Sequence, residues 1–502
     1  MLTAITQSLL AVIIICLTAF YFFSKHRYGY WKKRGVPQVE EPVLFLGNLS
    51  FLMRKSFFDA VYDWTKKYKD EYFGMYFGWT PALIVNNSEL AKHVLVKDYD
   101  SFQNRFSYSG LDDDPLGSLN LFSVKNPIWT QMRNEISPMF TSARLKGFAN
   151  LMNSNSAELV RKVQTDFIDN NEPVDFKKLF LMYTSDTVAY TVFGIRVSAL
   201  KEGMSPLWYI TCNMLKWSFW RGLEFTMIFF MPVIAAIFKF KFFSKEATEY
   251  VKKLFWDVVN ERKKTGLTND TDLVNLLLKL KDNLKLPAES GTELADNLML
   301  AQAAVFILGS IETSSTTLSY CIHELSHHPE QQEKLYQEVS KALKESGKDI
   351  LDYNELLELK YLTACIHETL RKYPPVQLLD RACNNTFKWK DLTIESGTPV
   401  YVNILGIHYD EEKYPQPDEW RPERFINSSD NDNHDFSFLP FGEGPRFCIG
   451  KRYGMTQIRC ALAQLITKYR FESDSEYKVV SDPYSVLLTP KYDTKTKIFA
   501  RS

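Results

Sequence analysis

The run Phe441-Gly-Glu-Gly444-Pro-Arg446-Phe-Cys448-Ile-Gly450 concentrates residue types that can do chemistry. Gly442 and Gly444 before the cysteine allow a tight loop, and Gly450 after it lets a following helix start close to a flat ligand. The apolar stretch 449–468 predicts a helix beginning at the cysteine, whose amino-terminal dipole favours a thiolate there. A sulfur so held can ligate a haem iron and leave the opposite axial position open for oxygen. Arg446 is placed to pair with a propionate, and Phe441 to pack over the sulfur loop and exclude water. The competing reading, a glycine-rich turn around a buried thiol, leaves the fixed spacing of the aromatic, arginine and cysteine positions unexplained.

Other spacings are weaker alone. Glu368 and Arg371 lie three apart on a predicted helix and so share a face, as surface pairs often do. Trp129 and Arg133 lie four apart, and an arginine fork suits a carboxylate. Gly309-Ser310-Ile311-Glu312-Thr313 sets an acid and a hydroxyl inside a long apolar run. His323, His327, His328 and His367 lack acidic or cysteine partners at ligand spacing, so surface or capping roles are expected. Asp112-Asp113-Asp114 reads as a solvated loop. The seven cysteines are odd in number and contain no C-x-x-C pair, against a disulfide framework or structural zinc and for a reducing compartment.

The cysteine loop matches, at every fixed position, the signature F-x-x-G-x-R-x-C-x-G, and the chain resembles the cytochrome P-450 haem-thiolate monooxygenases. The resemblance implies haem b (iron protoporphyrin IX) ligated by Cys448, with Arg446, Phe441, Gly444 and Gly450 in the cofactor loop. Trp129 and Arg133 resemble the family's W-x-x-x-R helix at the propionates, and Arg381 fits a further propionate contact. Glu368 and Arg371, with Arg424 from Pro417-Asp-Glu-Trp-Arg-Pro-Glu-Arg424-Phe, resemble the family's buried Glu-Arg-Arg network; Trp420 stands where phenylalanine is usual. Residues 309–313 resemble the oxygen-binding segment, which implies proton delivery by Thr313 and Glu312 at a local helix opening. Ser310 replaces the usual second glycine, although a serine bonding back one turn still bends a helix. The implied partners are O2, a lipophilic substrate and NADPH–cytochrome P-450 reductase, with cytochrome b5 as a further electron donor. Lys451, Arg452, Arg459, Lys146 and Arg144 offer a basic patch for such an acidic donor. Trp31-Lys-Lys-Arg-Gly-Val-Pro37 resembles the insect microsomal branch associated with xenobiotic clearance. Rival readings are a dedicated hormone or lipid hydroxylase, a haem-thiolate isomerase or dehydratase, and a membrane haem sensor without turnover.

These residues need a large scaffold, and 502 residues with 45% hydrophobic content supply one. The expected class is mainly α with small β-sheets, a cytochrome P-450 fold carrying an N-terminal transmembrane anchor. Helical spacing covers 56–69, 127–148, 154–169, 245–264 and 353–372. A helix of about 35 residues starting at Ser290, with Ser-Gly-Thr-Glu293 as a capping box, runs to Pro329. Strand-like pieces are 83–85, 387–394, 399–403, 486–488 and 496–499, and Asn427–Asp435 reads as a polar loop. No repeat is visible, and sixty Lys plus Arg balance sixty Asp plus Glu, so no basic field argues for nucleic acid.

Leu2 to Phe23 carries no charge and twelve Leu, Ile, Val or Phe residues, long enough to cross the roughly 30 Å hydrocarbon core. Lys25, Arg27, Lys32, Lys33 and Arg34 follow, so the positive-inside bias leaves the rest in the cytosol. A cleavable signal peptide fits less well, lacking a basic start and a small-x-small site. The expected organisation is an anchor over 1–24, a basic, proline-containing hinge over 25–42 and a haem-binding body over 43–502 in the endoplasmic reticulum membrane. Phe225 to Phe238 is too short to span and reads as an interfacial segment or a buried helix. Phe102, Phe106, Tyr108, Phe122, Trp217, Phe219, Phe306, Val376, Leu379, Val486 and Leu487 are the expected apolar lining of a substrate pocket.

Overall fold

A computed structural model describes residues 2–501 apart from 41, 54, 109, 112, 171, 173, 215, 267–271, 284–290, 427–434, 474–479 and 492–495. The central element is the helix Gly291–His327, 37 residues long. Its inner residues, among them Leu298, Ala301, Ala304, Ile311, Leu318 and Leu325, are buried, because it threads the main core and meets helical neighbours on several sides. His328 separates it from the helix Pro329–Ser346, whose first residue is the proline. The expected capping serine, Ser290, and the polar run 427–434 lie outside the described residues.

The helix Lys451–Lys468 follows the cysteine loop and packs against the helix Ser142–Lys162. Two expected long helices are each divided. Residues 127–148 form Ile128–Ile136, a 3-10 turn Ser137–Phe140 and the start of Ser142–Lys162, since Pro138 denies the backbone a donor. The last of these continues through the expected 154–169 segment into a π-turn Val163–Ile168. Residues 353–372 form Tyr353–Glu358, begun by an Asp352–Glu355 capping box, and Lys360–Lys372, with Leu359 extended between them.

The main sheet holds β1 Tyr72–Phe77, β2 Thr80–Val85, β3 Leu378–Ala382 and β6 Pro399–Asn403 in the order β1-β2-β6-β3. Within this sheet β2 and β6 pair in parallel, and the other two strand pairings are antiparallel. The expected strand 387–394 is a hairpin, β4 Phe387–Trp389 and β5 Leu392–Ile394. Thr496–Ala500 is β8 and pairs with β7, Tyr469–Ser473. Residues 486–488 form no strand; they bend into the cavity described below.

Leu2–Arg27 is one helix, exposed along its apolar length. The stretch expected as a hinge is instead seated on the sheet. Gln38 bridges Gly74, the Val39 N–H donates to the Gly74 carbonyl at 2.9 Å, and buried Trp31 donates its indole N–H to the Met75 carbonyl at 3.2 Å. Residues 225–238 divide at Met231. Phe219–Phe230 buries Phe225, Met227 and Phe230, whereas Pro232–Phe238 leaves Val233, Ile237 and Phe238 exposed.

Candidate active site

A cavity of about 360 Å³ lies between the central helix, the cysteine loop, β3 and the segment after Pro375. It is sized for an organic molecule rather than an ion or a few waters. Cys448 lines one side, and Gly309, Ser310, Thr313 and Thr317 of the central helix line another. The loop is shaped by its glycines. Gly442 and Gly444 sit at φ +66° and +75°, and a Cβ on Gly444 would run into the Leu95 carbonyl. The Cys448 N–H donates to the Phe441 carbonyl at 2.8 Å, closing the turn so that the sulfur faces the cavity.

The following helix begins at Lys451, two residues later than expected, with Gly450 as its N-cap. Burial pushes the Cys448 thiol up despite the Gly450 N–H, the Arg133 guanidinium and Lys451. The helix terminus alone therefore does not ionise the sulfur; a bound metal cation would.

Charge around the cavity is unbalanced. Arg105, Arg133, Arg381 and Arg446 line it, against one carboxylate, Asp380. Arg105 donates to Asp380 at 2.6 Å. Burial pushes the Asp380 carboxyl up, but Arg105 and Arg381 outweigh it and hold the group below its ordinary value. Burial, reinforced by Arg105, pushes Arg381 down to about 9 and Arg446 down to about 10. Arg446 donates to the carbonyls of Gln103 and Val124 at 2.6 and 3.1 Å, and its guanidinium lies 4.3 Å from the Trp129 ring centre. Arg105 Nε, Arg381 Nε and Arg446 Nη1 are buried without an acceptor. Unpaired buried donors on like-charged groups are costly, and a dianion laid among them would satisfy both deficits. Haem, whose two propionates would accept from these donors and whose iron the Cys448 sulfur would ligate, fits this donor set.

Trp129 and Arg133 both line the cavity from Ile128–Ile136, with the Arg133 guanidinium 4.6 Å from the Phe447 ring centre. Behind the sulfur loop, Glu368 accepts from Arg371 Nε at 2.7 Å and Nη2 at 2.8 Å, and from Arg424 Nε at 3.3 Å. The Glu368 and Arg371 side chains are fully buried. Arg371 also donates to the carbonyls of His408 and Pro417, and Trp420 donates to the Thr369 hydroxyl at 3.1 Å.

The central helix is unbroken at 309–313, so the expected opening is absent from the resting structure. The Thr313 hydroxyl donates to the Gly309 carbonyl at 2.7 Å, within an intact turn. Glu312 does not line the cavity. It is buried on another face, where burial pushes its carboxyl up against the pull of Lys177 and Thr489. Successive helical residues are rotated by about 100°, so adjacent sequence positions need not share a site.

Of the expected pocket residues, Phe122, Phe306, Val376, Leu379, Val486 and Leu487 line the cavity, while Phe102, Phe106, Tyr108, Trp217 and Phe219 do not. Phe102 belongs to the sheet-side core, edge-on to Phe387 at 5.2 Å. Phe106 packs on the main core while its N–H donates to Asp380. Phe219 is exposed beside Trp220 and Tyr484. Apolar composition marked these residues without showing which way they face.

Four charged or titratable assignments change. Arg459 is buried against Thr363, which removes it from the basic patch. His323 and His367 are core residues rather than surface ones. Asp114, expected in a solvated loop, is buried and caps Pro115–Leu119 while accepting the Phe242 N–H at 2.6 Å; Asp112 lies outside the described residues. Sequence reasoning missed Arg105, Asp380 and Tyr401 at the cavity. An arginine isolated between Phe102 and Phe106 was the available signal for the first.

A thiol facing a cavity whose rim holds arginine nitrogens without acceptors is the arrangement a haem-thiolate protein needs. A family model described as Cytochrome P450 matches residues 37–498. The chain is 32% identical over 480 residues to cytochrome P450 6k1 of Blattella germanica, covering 92% of this chain and 90% of that protein. It is likewise 32% identical to cytochrome P450 6l1 of the same organism, covering 96% and 93%, and 31% identical to a probable cytochrome P450 6d5 of Drosophila melanogaster, covering 96% and 97%. The chain belongs to the cytochrome P450 family: it is a monooxygenase that uses haem b and electrons from NADPH delivered by a reductase.

Proposed function

We propose that the chain is a membrane-anchored monooxygenase of broad lipophilic range, serving xenobiotic clearance, with Cys448 as axial ligand of the haem iron. The observation that carries this reading is the Cys448 sulfur facing an apolar cavity whose buried arginines each keep one nitrogen without an acceptor. Arg105, Arg381 and Arg446 would hold the propionates, with Trp129 and Arg133 beside them on the cavity wall. When bound, haem supplies the redox chemistry, by which one atom of O2 enters a substrate C–H bond and the other leaves as water with two electrons and two protons.

The chain's own residues orient and protect. Phe122, Phe229, Phe306, Val376, Leu379 and Leu487 hold a lipophile by shape and leave it few polar anchors. Thr313, its proton committed to Gly309, presents a lone pair to the cavity and accepts a hydrogen bond there. Glu312 serves from behind the helix, raising the availability of a proton on the Lys177 and Thr489 side.

The electron donors are the membrane-bound reductase flavoprotein and cytochrome b5, docking on the basic side chains of Lys146, Arg144, Lys451 and Arg452. The uncleaved N-terminal helix holds the body at the cytosolic face of the endoplasmic reticulum membrane. Exposed Val233, Ile237 and Phe238 support a second lipid contact, next to the entry for membrane-dissolved substrates. The test is oxidation of a panel of lipophilic compounds by the holoenzyme with reductase, NADPH and isotopically heavy dioxygen. One heavy oxygen atom per product, and no product without reductase, is expected. Heavy-isotope-free products formed without reductase would favour an isomerase.

A further inference from the structure

Leu121 and Phe122 form part of the cavity wall just after the helix Pro115–Leu119. The Phe122 ring lies 3.8 Å from the Arg105 guanidinium and edge-on to Phe229 at 5.9 Å. The corner is knotted locally by Asn120. Its amide donates to the carbonyls of Leu116 and Gly117 and accepts the N–H groups of Phe122 and Ser123. These bonds shape the turn without fixing it to the far side of the cavity.

Gln302 supplies that attachment. It lies fully buried on the central helix, on the same stripe as Phe306, Gly309 and Thr313 at intervals of four, seven and eleven residues. Its side-chain oxygen accepts the Leu121 N–H at 2.8 Å. Its amide nitrogen donates to the Leu119 carbonyl at 2.9 Å and to the Leu298 carbonyl one turn back, also at 2.9 Å. Both amide protons and one oxygen lone pair are thereby committed. One side chain joins the wall to the helix that carries the oxygen-side residues, and no apolar replacement can satisfy the buried N–H and carbonyl it serves.

We propose that Gln302 is a specificity-determining positioning residue: by clamping Leu119 and Leu121 to the central helix it fixes the Phe122 wall and sets which bulky ligands the cavity accepts. This rests on the reading of the cavity as the haem and substrate site. A ligand small enough to sit only at the iron is insensitive to the clamp, whereas one that reaches the wall is not.

The test uses the full-length holoenzyme with Gln302→Leu, which removes all three bonds, and Gln302→Glu, which keeps the acceptor for Leu121. Imidazole and clotrimazole, an azole bearing three aryl rings, are titrated by their Soret shifts, and hydrogen exchange is followed over 114–124. In Gln302→Leu, clotrimazole binding weakens by about fivefold or more, imidazole binding stays within about twofold, and the amides of 120–123 exchange faster. Gln302→Glu falls between parent and Leu variant, and carries the test if the Leu variant fails to take up haem. A smaller clotrimazole effect, an equal effect on imidazole, or loss of haem by both variants overturns the proposal. Absence of a Soret shift with either azole in the parent protein would instead refute the haem-cavity reading itself.

Discussion

At the residue scale the cavity is governed by a charge imbalance that only a bound anion relieves. Arg105 is the instructive member, since it neutralises Asp380 with one arm and leaves Nε unpaired. Replacing it with Gln should leave Asp380 buried without its main counter-ion and the propionate edge with one donor fewer. Haem transfer to apomyoglobin should then accelerate by about tenfold, the scale of one charge-assisted hydrogen bond; an unchanged rate would remove Arg105 from the propionate site. The role proposed for Thr313 is on oxygen rather than on haem retention. Thr313→Ala is expected to keep the Soret spectrum and NADPH consumption while product formed per NADPH falls several-fold. Unchanged coupling would show that its hydroxyl has no part in proton supply.

At the element scale the Glu368–Arg371 pair joins the helix Lys360–Lys372 to the 415–425 segment, and His408 joins that pair to the sulfur loop. The His408 ring nitrogens bond the Arg371 carbonyl at 3.0 Å and the Leu439 N–H at 2.8 Å. Nδ1 must donate and Nε2 accept, so the ring is neutral. Glu368→Gln leaves two arginines under-compensated and should destabilise the fold by ~3–5 kcal/mol, read as loss of haem incorporation during expression.

Burial pushes His408 down to about 3, opposed by the bond to the Arg371 carbonyl and helped only slightly by the Arg371 charge. The unfolded chain therefore binds the extra proton first as pH falls. His408 contributes stability in full above the ordinary histidine value near 6.5, and the contribution is lost progressively from there to about 3. Asp186, pushed up to about 6 by burial, works in the opposite direction between its ordinary value and 6. The difference between parent and His408→Gln unfolding curves isolates the histidine: parent stability should fall more steeply with acid than that of the variant. Parallel curves would contradict the neutral, doubly bonded ring.

The same scale shows what could be read without coordinates. The sulfur loop and the Glu-Arg-Arg set were legible because their spacing is rigid, and β6 because Pro399 and the polar turn before it mark its start. The orientation of Phe102, the burial of Asp114 and Arg459, and the rotation of Glu312 away from the cavity were not. Each depends on which neighbour a helix or loop meets, which local spacing does not encode.

At the scale of the whole molecule, the N-terminal helix and the helix Pro232–Phe238 leave apolar side chains exposed. Phe20 of the N-terminal helix stacks on Phe45 at 4.5 Å and meets Trp79 edge-on at 5.6 Å, while Val233, Ile237 and Phe238 stay exposed. Deleting residues 2–27 should reduce co-sedimentation with phospholipid vesicles but not abolish it, and adding Ile237→Glu and Phe238→Glu should abolish the remainder. Complete loss on deletion alone would confine membrane contact to the anchor. The central proposal is that the Cys448 sulfur holds the haem iron. The most direct measurement is the difference spectrum of the dithionite-reduced holoprotein with and without carbon monoxide, taken on the parent and on Cys448→His. The parent is predicted to give the red-shifted Soret band of a thiolate-ligated ferrous carbonyl haem, and the variant to lose that band and its oxidising activity together. A parent lacking the band, or a histidine variant retaining it, would contradict the account.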